Sequence, residues 1–391
     1  ATIMADDTTS NSGFQLYLGP IVGILILLFA LTHAYERAEL VSYDWRFNIR
    51  NSLFGMPEMD PRLGTIEIDD QTLEVEGRWQ DWTRTEYIDV VRILGEYGAR
   101  MIGFDIYFIE PKTKLVSEEQ LRGLREIDQA SIDALLASAD YDLRFRNAID
   151  DADNVYLAQY LMKQPKDAEG PIEYPPLTAD QQEVLEHFRS HSPKLMVPAN
   201  ESTIDQAKNF EPPLKLLRDA AIGYANAQTT EDFDGSRRRY PLVYQYKDML
   251  FPSIGLVMVC DLLKVPISNV EVWPGDHIRL PNAKALNGKA NDIEIPIDDH
   301  GTMHVNWTGK WEETFVRYPH IALRRAAQRE DRQAILEQIK ELVATDPGLR
   351  RQLRNLPALL AKAGFQNTKA NRSAVGTWMQ ASGIEAAVRK Q

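Results

Sequence analysis

The chain has 391 residues, a net charge of −13 and a sequence pI near 5.1, which argues against a general nucleic-acid binder because phosphate binding needs clustered Lys and Arg. The basic run at residues 237–239 is too short to change this. Cys260 is the only cysteine, so an intrachain disulfide and a thiolate metal cluster are excluded, and its apolar neighbours indicate a buried, inert thiol.

The first 35 residues contain a polar stretch and then an apolar one. Residues 1–15 are small and polar, and they predict a mobile N-terminal tail. Residues 16–35 are mostly apolar with Tyr17 and Tyr35 at the two ends, and this length can cross a bilayer as a helix. The alternatives are a buried core helix and a cleaved signal peptide, which would need a basic start and a shorter apolar core. We predict a single transmembrane helix here.

Charges around the apolar segment bear on its orientation. Residues 1–15 have no Lys or Arg, whereas Arg37, Arg46 and Arg50 follow the segment. By the positive-inside rule alone, the rest of the chain would lie in the cytoplasm. Residues 35–45 are expected to continue as a helix out of the membrane.

Residues 65–111 have the pattern of a βαβ unit. Thr65–Asp69 alternates apolar and polar residues, which predicts a strand. Thr83 and Glu86 have the spacing of a capping box that starts an amphipathic helix, and Gly98 suits its end. Residues 101–108 form an apolar run typical of a buried strand. The two strands should therefore be parallel neighbours with a right-handed crossover.

The central part of the chain alternates helical and strand patterns. Residues 114–150 predict helices, and residues 154–162 predict a third strand. Residues 163–213 are polar and rich in proline, with one amphipathic helix near 180–189. They predict a long surface loop region, where contacts with partners often lie.

The next part predicts an antiparallel region. The turn at Asp234-Gly235 separates two predicted strands, and an apolar helix is predicted at 252–263. Further short strands are predicted near 270–280, 291–298 and 302–308. Residues 325–391 are rich in Ala, Leu, Arg and Gln at helical spacing and predict a helical insertion or extension.

Together these patterns predict an α/β fold. It has a single N-terminal transmembrane helix, a mixed sheet with a βαβ core and an antiparallel meander, and a C-terminal helical extension.

The acidic residues Asp69, Asp70 and Asp105 are the first candidate site. In open α/β sheets, ligands bind outside the carboxyl ends of parallel strands, and two neighbouring strands would bring these acids together. Close carboxylates can bind a cation or a cationic ligand, or raise each other's pKa. The structural alternative, which we favour, is that Asp69 caps a turn and that Asp105 pairs with an arginine such as Arg84. Trp82 is expected to pack over the sheet rather than to stack on a ligand.

The sequence at 232–236 matches D-x-D-G-[ST], the nucleophile loop of haloacid-dehalogenase-type phosphohydrolases. That loop should follow an apolar parallel strand, whereas residues 228–231 are polar, and no later acidic loop is present for a metal. A hairpin turn around Asp234 is the preferred interpretation. No catalytic residue, metal or cofactor is predicted.

Four blocks in the chain resemble the CHASE type-2 domain family. The first contains residues 43–46, and the second runs from Ile-Asp-Asp at 68–70 through the apolar run at 101–108 to Pro111. The third is residues 222–226 with the following Asp-Gly-Ser-Arg-Arg, and the fourth is residues 295–306. The resemblance covers roughly residues 16–324, which is more specific than a single short motif.

The resemblance implies an extracytoplasmic sensory module of a bacterial receptor, with the sensor domain at residues 36–324 and the globular part in the periplasm. We follow this orientation over the one that the charges favour. It also implies a small-molecule or protein ligand, a homodimer, and an effector such as a nucleotide cyclase, a histidine kinase or a Ser/Thr kinase outside this segment. We therefore expect the chain to be part of a longer polypeptide. The alternative is a non-catalytic structural or accessory subunit of a larger membrane complex.

Overall fold

The computed structural model describes residues 17–24, 28, 32–56, 60–112, 136, 139–164, 171–232, 234–284, 288–307 and 316–330. The chain divides into two compact units: residues 1–65 with 306–316, and residues 66–305 with 317–391. The predicted N-terminal tail, and the predicted helical extension beyond residue 330, lie outside the described residues.

The first unit contains a long helix, α1 (His33–Phe54), which ends at Gly55 with a φ of 79°. This confirms the helix predicted after residue 35. Within the unit, Arg50 donates from Nη1 to Asn306 Oδ1 at 2.5 Å and lies 4.5 Å from the centre of the Phe47 ring. Residues 17–24 are also helical. Among the helices that can be described, none is both long and apolar enough to span a membrane, and the predicted segment 16–35 is described only in part.

The second unit is a mixed α/β structure. Among the described residues, its helices are α2 (Asp70–Glu76), α3 (Thr85–Glu96), α4 (Tyr141–Ala152), α5 (Ala179–Ser190), α6 (Lys215–Arg218) and α7 (Ile254–Leu262), followed by helical residues 320–330. Its strands, with those at its boundary, are β1 (Gly64–Glu67), β2 (Ile102–Tyr107), β3 (Val155–Lys163), β4 (Lys194–Leu195), β5 (Ala207–Glu211), β6 (Gly223–Asn226), β7 (Arg239–Pro241), β8 (Val243–Tyr246), β9 (Met249–Pro252), β10 (Glu271–Trp273), β11 (His277–Lys284), β12 (Ala290–Pro296), β13 (Thr302–His304) and β14 (Val316–Pro319).

The central sheet is built around β3. Its first half pairs in parallel with β2 and β6, and its second half pairs antiparallel with β5. The helix α4 precedes β3 and packs against α3. The β-branched and aromatic residues of β2 and β3 favour strands, and their buried side chains form the core beneath α3 and α4.

The predicted βαβ unit is wrong in one strand. β1 forms a two-stranded sheet with β14, whereas β2 pairs with β3. The parallel pair is thus β2 and β3. The short helix α2, which the sequence analysis missed, follows β1 directly.

The predicted capping box is also wrong. α3 begins at Thr85, and its N-cap residue Arg84 makes no side-chain cap. Thr83 Oγ1 instead accepts a hydrogen bond from the Thr85 backbone N–H at 3.1 Å and donates to the Glu86 carboxylate at 2.9 Å. Gly98, with a φ of 78°, follows the helix as predicted.

The single strand predicted near 270–280 is instead two strands, β10 and β11, which pair antiparallel with each other. The predicted strand near 291–298 is present as β12 and pairs antiparallel with β11, while β4 adds to the edge of β10 in parallel. The third predicted strand departs from this pattern, because β13 pairs with β7. The apolar helix is confirmed as α7, whose N-cap Ser253 accepts a hydrogen bond from the Leu256 backbone N–H. Cys260 on α7 is 1% exposed, and burial raises the pKa of its thiol to about 12, as expected of an inert cysteine.

The region 163–213 is more than a surface loop. The predicted helix near 180–189 is present as α5. The same region also supplies β5, whose Ala207 and Phe210 are fully buried. These side chains join a core cluster with Leu161, Tyr244 and others between β3, α5 and β8.

Candidate functional site

Arg84 is buried and has a structural role. Its Nε donates to Asp142 Oδ1 at 2.8 Å, and the two side chains are 6% and 9% exposed. Its Nη2 donates to the Glu110 carbonyl at 2.8 Å, and its guanidinium lies 4.8 Å from the centre of the Phe108 ring. The predicted pairing of Arg84 with Asp105 is therefore wrong. Arg84 instead holds the segment that follows β2 against α4.

Asp69 caps α2, as the structural alternative proposed. Its carboxylate accepts hydrogen bonds from the Thr72 backbone N–H at 2.8 Å and from Thr72 Oγ1 at 2.6 Å. These bonds lower the pKa of Asp69. Asp70 is exposed in the first turn of the same helix. Neither residue shares a sheet with Asp105, because β1 and β2 belong to different sheets.

Asp105 lies on the outward face of β2 with Gly103 and Tyr107. The surrounding protein removes enough water to raise the pKa of this carboxyl, and the Arg237 guanidinium opposes the shift. The Tyr107 and Tyr160 rings meet edge to face at 5.4 Å beside it. The structure therefore places Asp105 on an aromatic surface rather than in an acidic pair.

The D-x-D-G-S sequence forms a closed network of ion pairs. Asp232 lies within 3.1 Å of Arg238 and 2.6 Å of Arg239, and Asp234 binds Arg238 at 2.9 Å. Gly235 has a φ of 80°, and its N–H donates to the Asp232 carbonyl, so a turn is present. The flanking strands β6 and β7 pair elsewhere, and the predicted hairpin is therefore wrong. With both carboxylates bound by arginines, the loop is structural.

Trp82 packs in the core, as expected. It is 3% exposed, and its ring centre lies 5.8 Å from that of Tyr87 and 5.1 Å from that of His320. Its indole N–H faces the Gly77 carbonyl at 3.3 Å. No ligand role follows for this residue.

A cleft of about 310 Å³ lies at the carboxyl end of β2. It is lined by Ile109, by Thr178, Asp180 and Gln181 at the start of α5, and by residues 211–215. The chain is fixed here because the Leu214 N–H donates to the Phe108 carbonyl at 2.8 Å. The position agrees with the rule that ligands bind outside the carboxyl ends of parallel strands.

The polar groups of the cleft differ in how fully they are paired. Asp180 binds the buried Arg218 through both carboxylate oxygens, at 2.6 and 3.0 Å. Lys215 forms an ion pair with Glu183. Gln181 Nε2 donates to the Phe210 carbonyl at 2.6 Å and reaches Glu211 Oε1 only at 3.4 Å. In the described part of the chain, the Glu211 carboxylate thus accepts one long hydrogen bond and can accept others from a ligand with a positive charge or a hydrogen-bond donor.

Within the described part of the chain, no group of three or more His, Cys, Asp or Glu side chains is arranged to hold a metal ion. A family model described as the CHASE2 domain matches residues 21–346. The chain belongs to the CHASE2 domain family. CHASE2 domains are extracytoplasmic, sensory and non-catalytic. No curated protein and no solved structure matches the chain.

The charged candidate residues of this CHASE2 chain thus fall into two groups. Arg84, Asp69 and Asp234 stabilise local structure, and Asp70 and Asp105 lie on the surface. The sequence analysis missed the cleft, because Glu211 lies in the region 163–213, which was predicted as a loop. The Thr178-x-x-Gln181 motif is a capping box, and it could have predicted the start of α5, which forms one wall of the cleft. In the structure, each of the two side chains bonds to the backbone of the other residue.

Proposed function

We propose that this CHASE2 chain is the ligand-sensing part of a membrane-anchored receptor and that the cleft beside β2 is its ligand site. The cleft volume of about 310 Å³ is at the lower end for small-molecule pockets. Its place at the carboxyl end of a parallel strand is the observation that carries the proposal.

The chemistry of the cleft favours a small ligand with an ammonium group or several N–H donors. Asp180 and Lys215 are neutralised by their own ion pairs, so Glu211 contributes the net charge. Pro212 and Pro213 form an apolar, rigid wall beside it. A carboxylate next to such a wall binds an ammonium group through a charge-assisted hydrogen bond while the ligand's carbon atoms are buried.

The test measures binding of small amines (ethanolamine, putrescine and spermidine) by isothermal titration calorimetry. We expect Glu211→Gln to weaken binding by at least about tenfold, because a hydrogen bond to a charged group contributes about 1.5–3 kcal/mol. The matched control is Glu294→Gln, at an exposed glutamate of β12 that does not line the cleft. Equal loss in both variants, or no binding by the parent, would remove the cleft as an amine site.

The proposal also includes a route by which ligand binding would reach the effector. Residues 16–35 would anchor the chain in the cytoplasmic membrane, and binding would bias the arrangement of α1 and thereby an effector outside this segment. Such a shift requires that the ligand bind one of two states more tightly. A homodimer follows from the proposed mechanism, since cyclases and histidine kinases work as dimers. If the chain instead binds no ligand but co-purifies in fixed ratio with a membrane complex, the accessory-subunit alternative replaces this one.

A further inference from the structure

His320 is a buried histidine that the cleft does not use. It begins the helical residues 320–330 directly after β14 and is 3% exposed. In the described part of the chain, neither of its ring nitrogens has a hydrogen-bond partner. A buried ring without partners is tolerated when neutral but is costly when protonated, because an imidazolium has two N–H donors to satisfy.

Two aromatic rings enclose the imidazole. The ring centres of Trp82 and Tyr87 lie 5.1 and 6.2 Å from that of His320. Both side chains are almost fully buried, at 3% and 4% exposure. These rings shield the imidazole from water.

Charged groups face His320 from three elements. Arg324 lies one turn further along the same helix, Glu86 is on α3, and Asp69 caps α2. Burial, and after it the Arg324 charge, lower the pKa of His320 to about 4, while Glu86 and Asp69 raise it by less. The Arg324 guanidinium is itself bound by Glu76 and Asp89, so these carboxylates already have a cationic partner.

The helix at 320–330 is held to α2 and α3 by a short row of side chains. Ile321 and Ala327 are buried, and Arg324 makes its two ion pairs across the contact. Tyr97 donates to Glu330 Oε1 at 2.7 Å at the far end. A charge placed on His320 therefore acts at the first turn of the helix, beside the contacts that hold it to α2 and α3.

We propose that His320 is a proton-responsive latch, which holds the helix at 320–330 against α2 and α3 when neutral and releases it when protonated. In the released state, water can hydrogen-bond to both ring nitrogens. The protonated ring is therefore more stable in the released state than in the docked state, and this difference drives release. The inference rests on the proposed sensory function in one respect only: if the domain is a sensor, acidity is one of its stimuli.

The pH dependence of docking follows from the difference in the His320 pKa between the docked and the released state. The His320 pKa is lowered in the docked state, so the docked state is fully stable above the ordinary histidine pKa of 6.5 and loses stability as the pH falls from 6.5 towards about 4. At pH 5 the shift favours release about 30-fold relative to pH 8. Below pH 4 both states are protonated, and this contribution stops changing.

Hydrogen–deuterium exchange of the full chain at pH 7.5 and pH 5, corrected for the intrinsic pH dependence of exchange, tests the latch without added ligand. We expect exchange in residues 320–330 to rise about 30-fold at pH 5 in the parent. In His320→Phe, which keeps an aromatic ring but has no proton to gain, the rise should be absent. His320→Gln, uncharged at both pH values, provides the same test if the Phe variant fails to fold.

The control is His300→Gln, because His300 is 51% exposed and pairs with Asp205. It should keep the parent's full response. A rise in His320→Phe or His320→Gln equal to that of the parent would overturn the latch, as would a parent without any rise. This outcome is independent of amine binding at Glu211, so failure of the cleft proposal and failure of the latch are separately visible.

Discussion

Arg84 shows how a single charged residue in this domain is used for folding. The ion pair with Asp142 is almost fully buried, and Nη2 donates to the Glu110 backbone carbonyl. Removing one partner of such a pair leaves an uncompensated charge in the core, which typically costs about 3–5 kcal/mol. A substitution of Arg84 should therefore lower the stability of the second unit.

We expect Arg84→Met to lower the free energy of unfolding by about 3–5 kcal/mol, measured by urea denaturation. The loss should exceed that of Arg92→Met by far, because the Arg92–Glu96 pair is partly exposed on α3 and such pairs contribute about 0–1 kcal/mol.

A double variant separates the charge from the packing. Arg84→Met with Asp142→Leu removes both charges, and we expect a smaller loss than the sum of the two single variants. Some loss should remain, because the Lys112 N–H donates to Asp142 Oδ2 at 2.8 Å and would lose its acceptor. A strictly additive result would show that the two side chains do not act as a pair.

At the scale of elements, two glycines with the same positive φ make a matched test of packing. Gly301 and Gly288 both have a φ of 78°. A Cβ added at Gly301 would lie 3.0 Å from the backbone oxygen of Val243 and 3.3 Å from Ile204 Cγ2, whereas at Gly288 no atom of the described residues would lie within 4 Å.

Gly288→Ala should therefore cost only the left-handed backbone conformation, about 1–2 kcal/mol. Gly301→Ala should cost this and a further loss of about 1–3 kcal/mol, because the backbone of β8 must move. Thermal unfolding of both variants measures the difference. Equal losses would mean that the turn between β12 and β13 adjusts without strain on the core.

The elements that could be predicted are those whose pattern is local. The helix α7 and the strands β3 and β12 each follow from the local sequence pattern, and each is present. The partner of β1 could not be predicted this way. It is β14, about 250 residues later in the chain, and nothing in the local pattern of either strand specifies that pairing.

The candidate site was harder to predict for a related physical reason. Acidic residues near a strand end suggested a cluster. Instead, the Asp69 carboxylate accepts a hydrogen bond within α2, and Asp105 lies on β2, which is not in the same sheet as β1. The cleft depends on Phe108, Leu214 and the start of α5 meeting in space. Its polar residues come from three separate parts of the chain, so no single motif marks it.

On the scale of the whole molecule, charge and family membership predict opposite orientations. Three arginines of α1 follow the apolar segment, which favours a cytoplasmic location, whereas CHASE2 domains are extracytoplasmic. Arg50 is engaged with Asn306 and Phe47, and Arg46 with Glu39.

Fusions to reporter enzymes in a bacterial host decide between the orientations. We expect alkaline phosphatase, which folds only outside the cytoplasm, to be active when fused after Phe54, at the end of α1. β-Galactosidase at the same junction should be inactive, because it functions only inside. The reversed pattern would place the cleft and His320 in the cytoplasm, where the pH is buffered near neutrality, and acidity would then be an implausible stimulus for the latch.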